Sequence, residues 1–211
     1  MKCTHCQAAI AAADSFCGEC GRPNPPKTLE QISEVYLHGD PVDARDLLVD
    51  YVQRAPKDAE GWLILGNAQR DLKEDDEAEK AYMLAIRLDP RCYKAHNGLG
   101  RLYDRKGFQN EAYQFYELAT QVKPDWAPPY SSMSTIELQR GNLPQALALA
   151  QKAYQLDPQN ATIVANLAIA NHRNGRLKER DRLYQEAKRL GYARLETLEA
   201  AFRDIQGVGR P

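Results

Sequence analysis

The chain has 211 residues, 43% of them hydrophobic and 27% charged, with a net charge of −1 at neutral pH. Such a length can hold a stacked helical core, and the near-neutral balance excludes a global field that draws the chain to nucleic acid or anionic lipid. No apolar run approaches the roughly 20 residues that span a bilayer. Met1-Lys2-Cys3 leaves no room for a signal peptide before the first motif, so the expectation is a soluble, cytoplasmic protein.

Residues 1–24 contain four of the five cysteines, as Cys3-x-x-Cys6 and Cys17-x-x-Cys20. Two pairs at this spacing can offer four thiolates tetrahedrally to a metal. The stretches Cys3-Thr4-His5-Cys6 and Asp14-Ser15-Phe16-Cys17-Gly18-Glu19-Cys20-Gly21 resemble the short amino-terminal zinc ribbon common in prokaryotic proteins. Gln7 stands where that family usually has a glycine after the first pair. The expected cofactor is a structural Zn²⁺ on Cys3, Cys6, Cys17 and Cys20, with no open position for catalysis. Iron in a rubredoxin-like site is the chemical competitor, since it also takes four thiolates. Paired disulfides are disfavoured by the reducing compartment. His5 reads as a spacer, and Phe16 as the apolar plug of a unit too small to fold without metal.

A stiff linker, Arg22-Pro23-Asn24-Pro25-Pro26-Lys27, follows. Thr28-Leu29-Glu30-Gln31 then reads as a capping box opening a helix. From Pro25 to Arg194 one 34-residue pattern is written five times, at 25–58, 59–92, 93–126, 127–160 and 161–194. Position 20 of the pattern reads Ala44, Ala78, Ala112, Ala146 and Arg180. Position 27 reads Tyr51, Ala85, Ala119, Ala153 and Ala187, and position 32 reads Pro56, Pro90, Pro124, Pro158 and Tyr192. Position 15 reads Gly39, Lys73, Gly107, Gly141 and Gly175. Each copy holds two apolar-periodic segments of helical spacing. The glycine at position 15 fits a left-handed turn between them, where Lys73 should cost roughly 1 kcal/mol. Asp40-Pro41 reads as an N-cap followed by proline at the first helical position. The tail repeats Leu195, Leu198, Phe202 and Ile205 at helical spacing, which predicts a capping helix over 195–206 and a frayed end at 207–211.

The five copies resemble the tetratricopeptide repeat, with Trp62, Leu65-Gly66, Ala78, Tyr82 and Pro90 of the second copy at the expected offsets. The resemblance implies an all-α fold: antiparallel helix pairs stacked into a right-handed α-solenoid, here preceded by the small four-cysteine zinc ribbon. In that family the first helices line a concave groove that takes a peptide, with positions 2, 5, 9, 12 and 13 facing it. Carried onto this sequence, the candidate peptide-binding residues are Tyr36, Leu63, Asn67, Arg70, Lys94, Asn97, Arg101, Arg105 and Leu138.

Amides can bond a peptide backbone and guanidinium groups can fork onto carboxylates. The expected ligand is therefore a peptide with an acidic or C-terminal group near Asn67, Asn97 and Arg101. Glu60, Asp71 and Asp104 offset much of the positive charge, and ordinary solvated helix charges are the competing explanation. The carboxylate clamp of chaperone-binding repeats is incomplete, because the Asn67 copy carries Leu63 at position 5. No phosphate loop or nucleophile signature points to an enzyme, and His96 at position 4 is explained by packing. The sequence thus predicts a non-enzymatic adaptor or scaffold for a protein or peptide partner. An accessory factor that meets nucleic acid through the ribbon is the alternative, without a basic stripe to favour it. Self-association through the repeat faces stays open. Cys92 reads as a packed thiol.

Overall fold

The structure, a computed structural model, describes residues 27–203. The four ribbon cysteines, the start of the first repeat and the end of the chain from 204 lie outside the described residues. Eleven α-helices and no strand are found among the described residues. They are α1 (Leu29–His38), α2 (Pro41–Arg54), α3 (Ala59–Asp71), α4 (Asp75–Leu88), α5 (Tyr93–Arg105) and α6 (Gln109–Val122). Then come α7 (Ala127–Arg140), α8 (Leu143–Leu156), α9 (Ala161–Arg173), α10 (Leu177–Arg189) and α11 (Leu195–Arg203). Helices α3, α5, α7 and α9 begin 34 residues apart, and so do α2, α4, α6, α8 and α10.

Local chemistry sets these boundaries. The Thr28 capping box forms, with the Thr28 side chain accepting from the Gln31 N–H and the Gln31 side chain accepting from the Thr28 N–H. Asp40, Asp58 and Asn160 cap α2, α3 and α9 through their side-chain oxygens. The turns after α3, α5, α7 and α9 are closed by backbone instead. At the end of α7, the Gly141 N–H donates to the Leu138 carbonyl at 3.2 Å and the Asn142 N–H to the Glu137 carbonyl at 2.9 Å. This pair of bonds needs a left-handed residue. Gly141 supplies it with φ of +81°, and Lys73 takes the same role at +64°. Gly39 departs from the expected left-handed turn, with φ of −115°. Pro41 holds the preceding Asp40 in extended backbone, and the Asp40 carboxylate caps α2, so no left-handed closure is needed there.

Position 4 of three consecutive repeats makes one recurring bond. Trp62 Nε1 donates to the Pro56 carbonyl at 3.0 Å, and Tyr130 Oη to that of Pro124 at 3.0 Å. His96 Nε2 lies 3.1 Å from the Pro90 carbonyl, which can only accept, so the ring carries its proton on Nε2. Each bond ties a first helix to the end of the repeat before it.

The chain divides into two compact units after Leu102, inside α5. In the first, α2 packs on α1 and α3, and α4 packs on α3. Its apolar centre joins Ile32, Leu48, Val52, Leu65, Ala68 and Ala81. Ala44, Ala78 and Ala85 are fully buried, and their small side chains let paired helices approach closely. The bulky Tyr51 is accommodated by Gly61, where an added Cβ would lie 2.8 Å from the Tyr51 ring.

In the second unit, α7 to α10 pack in sequence and α11 lies against α9. Leu183, Ala187, Val164 and Leu198 share one buried cluster there. Ser134 stands where glycine is usual, and its buried hydroxyl donates to the Ala146 carbonyl at 2.7 Å. Arg180 replaces the buried alanine of the other repeats and is half-buried, with its guanidinium 5.2 Å from the centre of the Phe202 ring.

Candidate functional site

The first helices of successive repeats adjoin one another within each unit. Helix α3 packs beside α1, and α9 beside α7, where Asn166 Nδ2 donates to Ser131 Oγ at 2.8 Å. Side chains three and four residues apart share one face of a helix. On α3 that places Leu63, Asn67, Arg70 and Asp71 together.

The structure joins three of the candidate residues in one network. Tyr36 Oη donates to Asp71 Oδ2 at 2.5 Å. Asp71 also accepts from Arg70, at 2.8 Å from Nη2. Arg70 Nη1 donates to Asn67 Oδ1 at 3.3 Å and to Tyr82 Oη at 3.2 Å. The Tyr82 hydroxyl donates in turn to Asn67 Oδ1 at 2.8 Å. Asn67 and Arg70 are therefore engaged within the fold, and Arg70 is only 9% exposed. Tyr82 enters from α4 and is not among the candidates. A buried tyrosine hydroxyl usually finds a partner, but that rule does not say which one.

Electrostatics follow from this arrangement. Burial pushes the Asp71 carboxyl up, but the bonds from Tyr36 and Arg70 and the charges of Arg70 and Arg101 outweigh it and hold the group below its ordinary value. Burial, then the hydrogen bond to Asp71, raises the Tyr36 phenol well above its ordinary value.

Lys94, Asn97 and Arg101 form a second row, on α5. Lys94 and Arg101 are exposed. Asn97 is buried, and its Oδ1 has no hydrogen-bond partner. Leu63 is 7% exposed, as deeply buried as Asn97 at 8%. In the second unit, Arg105 is exposed at the end of α5, and Leu138 is buried in the cluster with Ala146, Leu147 and Val164. No cluster of His, Cys, Asp or Glu able to hold a metal occurs among the described residues. No described helix is long and apolar enough to cross a membrane. Cys92 is half-buried, and burial raises its thiol.

The paired helices, their left-handed turns and their 34-residue register define a helical repeat array. The tetratricopeptide repeat pattern matches residues 59–92, 93–125 and 137–179, which together make up more than half of the chain. The chain belongs to the tetratricopeptide repeat family. It is 24% identical over 188 residues to the Arabidopsis thaliana "Protein CTR9 homolog", an alignment covering 84% of this chain and 17% of that protein. The chain spans less than a fifth of the length of the curated relatives it matches. Among solved structures, Pseudomonas aeruginosa PilF superposes with a TM-score of 0.72 at 18% identity, covering 84% of this chain and 82% of that one. YrrB, described as a repeat protein with an unusual peptide-binding site, superposes with a TM-score of 0.59 at 17% identity, covering 76% and 93%. At these identities the likeness establishes the fold.

Proposed function

We propose that this protein is a non-enzymatic adaptor that binds a peptide or protein segment on the face of its first helices. Repeat proteins of this family mediate protein–protein interaction, and the solved relative YrrB carries a peptide-binding site. The observation that carries the finer reading is the row on α5. Asn97 offers a buried, unpartnered acceptor, flanked on the same helix face by the exposed cations Lys94 and Arg101. A buried acceptor without a partner costs about 1–3 kcal/mol, which a peptide N–H would recover. A carboxylate on the same peptide would pair with Arg101 in a charge-assisted bond. Asn67 and Arg70 hold the hydroxyl of Tyr82, whose ring packs against Gly98, next to Asn97 in the chain.

Selection from a display library with free peptide C-termini tests this. Acidic or carboxyl-terminal sequences should be enriched on the wild type, and Arg101→Glu should abolish the enrichment. Selection of the same sequences by both proteins would overturn the reading.

We also propose that Cys3, Cys6, Cys17 and Cys20 hold one structural Zn²⁺, and that the protein acts in the cytoplasm. The ligand set supports the metal, since four thiolates at knuckle spacing suit tetrahedral zinc. Metal analysis should give one zinc per chain, lost in Cys17→Ser/Cys20→Ser. Iron in its place, or two disulfides, would refute it.

A further inference from the structure

An open notch lies on the side of α3 opposite Asn67. Residues two apart on a helix point about 200° apart, so Gln69 and Asn67 face away from each other. Gln69 lines this notch of about 320 Å³ between α2 and α4. Its apolar walls are Val49, Val52, Trp62, Leu65 and Leu84, and the exposed Gln53, Glu77 and Lys80 also line it. Gln69 is 7% exposed, and its Oε1 is buried with no hydrogen-bond partner. Trp62 Nε1, in the same wall, is already committed to the Pro56 carbonyl.

The second unit repeats the construction at the same repeat positions. There Asn171 occupies the place of Gln69, Tyr154 that of Val52, Glu179 that of Glu77 and Arg182 that of Lys80, around a notch of about 490 Å³. Asn171 Oδ1 is likewise buried and unpartnered. The walls differ in chemistry. Arg182 is held by Glu179 and Glu186, and Tyr154 donates to Glu186, so the second notch is polar and self-paired. The Gln69 notch pairs apolar walls with an unanswered acceptor.

We propose that the Gln69 notch is a docking pocket for a tryptophan side chain of a protein partner. An aliphatic side chain would fill the walls but leave the Gln69 oxygen as unpaired as it is in the free chain, recovering none of that cost. A charged side chain would lose its water against Val49, Val52, Leu65 and Leu84. An indole meets both demands, with a large apolar body and one N–H donor. The Gln69 amide turns about its last torsion at little cost, since that torsion is broad, and so can present its oxygen to the entering donor. This position is independent of the α5 row, so the protein has two separate faces for partners.

Titration of the isotope-labelled full chain with three probes, followed by NMR, tests the pocket: N-acetyl-tryptophanamide, its indole N-methyl derivative and N-acetyl-leucinamide. The first should give saturable shifts at the Gln69 side-chain amide and the methyls of Val52, Leu65 and Leu84. The N-methyl indole should bind about fivefold more weakly, the factor expected for one hydrogen bond. The leucine probe should bind more weakly still. In Gln69→Leu, the two indoles should bind equally. Equal binding of the two indoles to the wild type overturns the proposal. So do shifts confined to the Asn171 notch or the α5 row, or no saturable shift at the Gln69 notch. The comparison of probes on the wild type holds even if the variant misfolds.

Discussion

Tyr82 is the side chain on which the first unit closes. Its ring is fully buried, and an added Cβ on Gly66 or Gly98 would come within 2.8 and 2.6 Å of it. Its hydroxyl meets both Asn67 and Arg70. Tyr82→Phe keeps the ring and removes those bonds, so denaturant unfolding should show a loss of about 1–3 kcal/mol. An unchanged midpoint would mean that the network adds nothing to stability. Lys73 offers a test of opposite sign. A non-glycine residue in left-handed backbone is strained by its Cβ, so Lys73→Gly should raise stability by roughly 1 kcal/mol in the same measurement. The position-15 pattern made Lys73 legible in the sequence. The Tyr82 network was not, because the pattern shows that a residue is large and apolar and does not show where its hydroxyl reaches.

At the scale of elements, α9, α10 and α11 meet around His172. Its ring centre lies 5.1 Å from that of Phe202, and Arg180 Nη1 approaches Nδ1 to 3.3 Å. Burial first, then the cations Arg180 and Arg173, lower the His172 pKa, with Asp181 opposing them. The unfolded chain therefore takes up the proton more readily than the folded one. This contribution to stability is whole above the ordinary value of about 6.5 and is lost as pH falls from there through the lower folded value. Thermal unfolding should show a lower midpoint at pH 5.5 than at pH 7.5, and His172→Gln should shrink that difference. An undiminished pH effect in the variant would assign it to other groups. Helical spacing in the tail pointed to α11, since Leu198 and Phe202 recur four residues apart. Gly39 shows the limit of such patterns. It stands at the glycine position, yet the following Asp40-Pro41 imposes a different closure.

For the molecule as a whole, the repeat period carried most of the fold. Stacked repeats contact their neighbours, so one local pattern written five times dictates one arrangement many times over. The candidate site was less legible. Position rules placed Lys94, Asn97 and Arg101 on one helix face, but they also picked Asn67 and Arg70, which the fold itself uses. They picked Leu63 and Leu138 as well, which are as deeply buried as Asn97. Telling a ligand-facing residue from a network residue depends on contacts between repeats, such as Tyr36 with Asp71 across 35 positions. The most direct test of the interaction role is site-specific photo-crosslinking in native lysate. A photoreactive residue replaces Lys94, exposed on the first-helix face with Asn97 and Arg101 left in place, or Arg87, exposed on a second helix. The account predicts a discrete protein adduct from position 94 that is absent at position 87 and is competed away by unlabelled wild-type chain. Adducts of the same size and yield from both positions, or none from position 94, would contradict it.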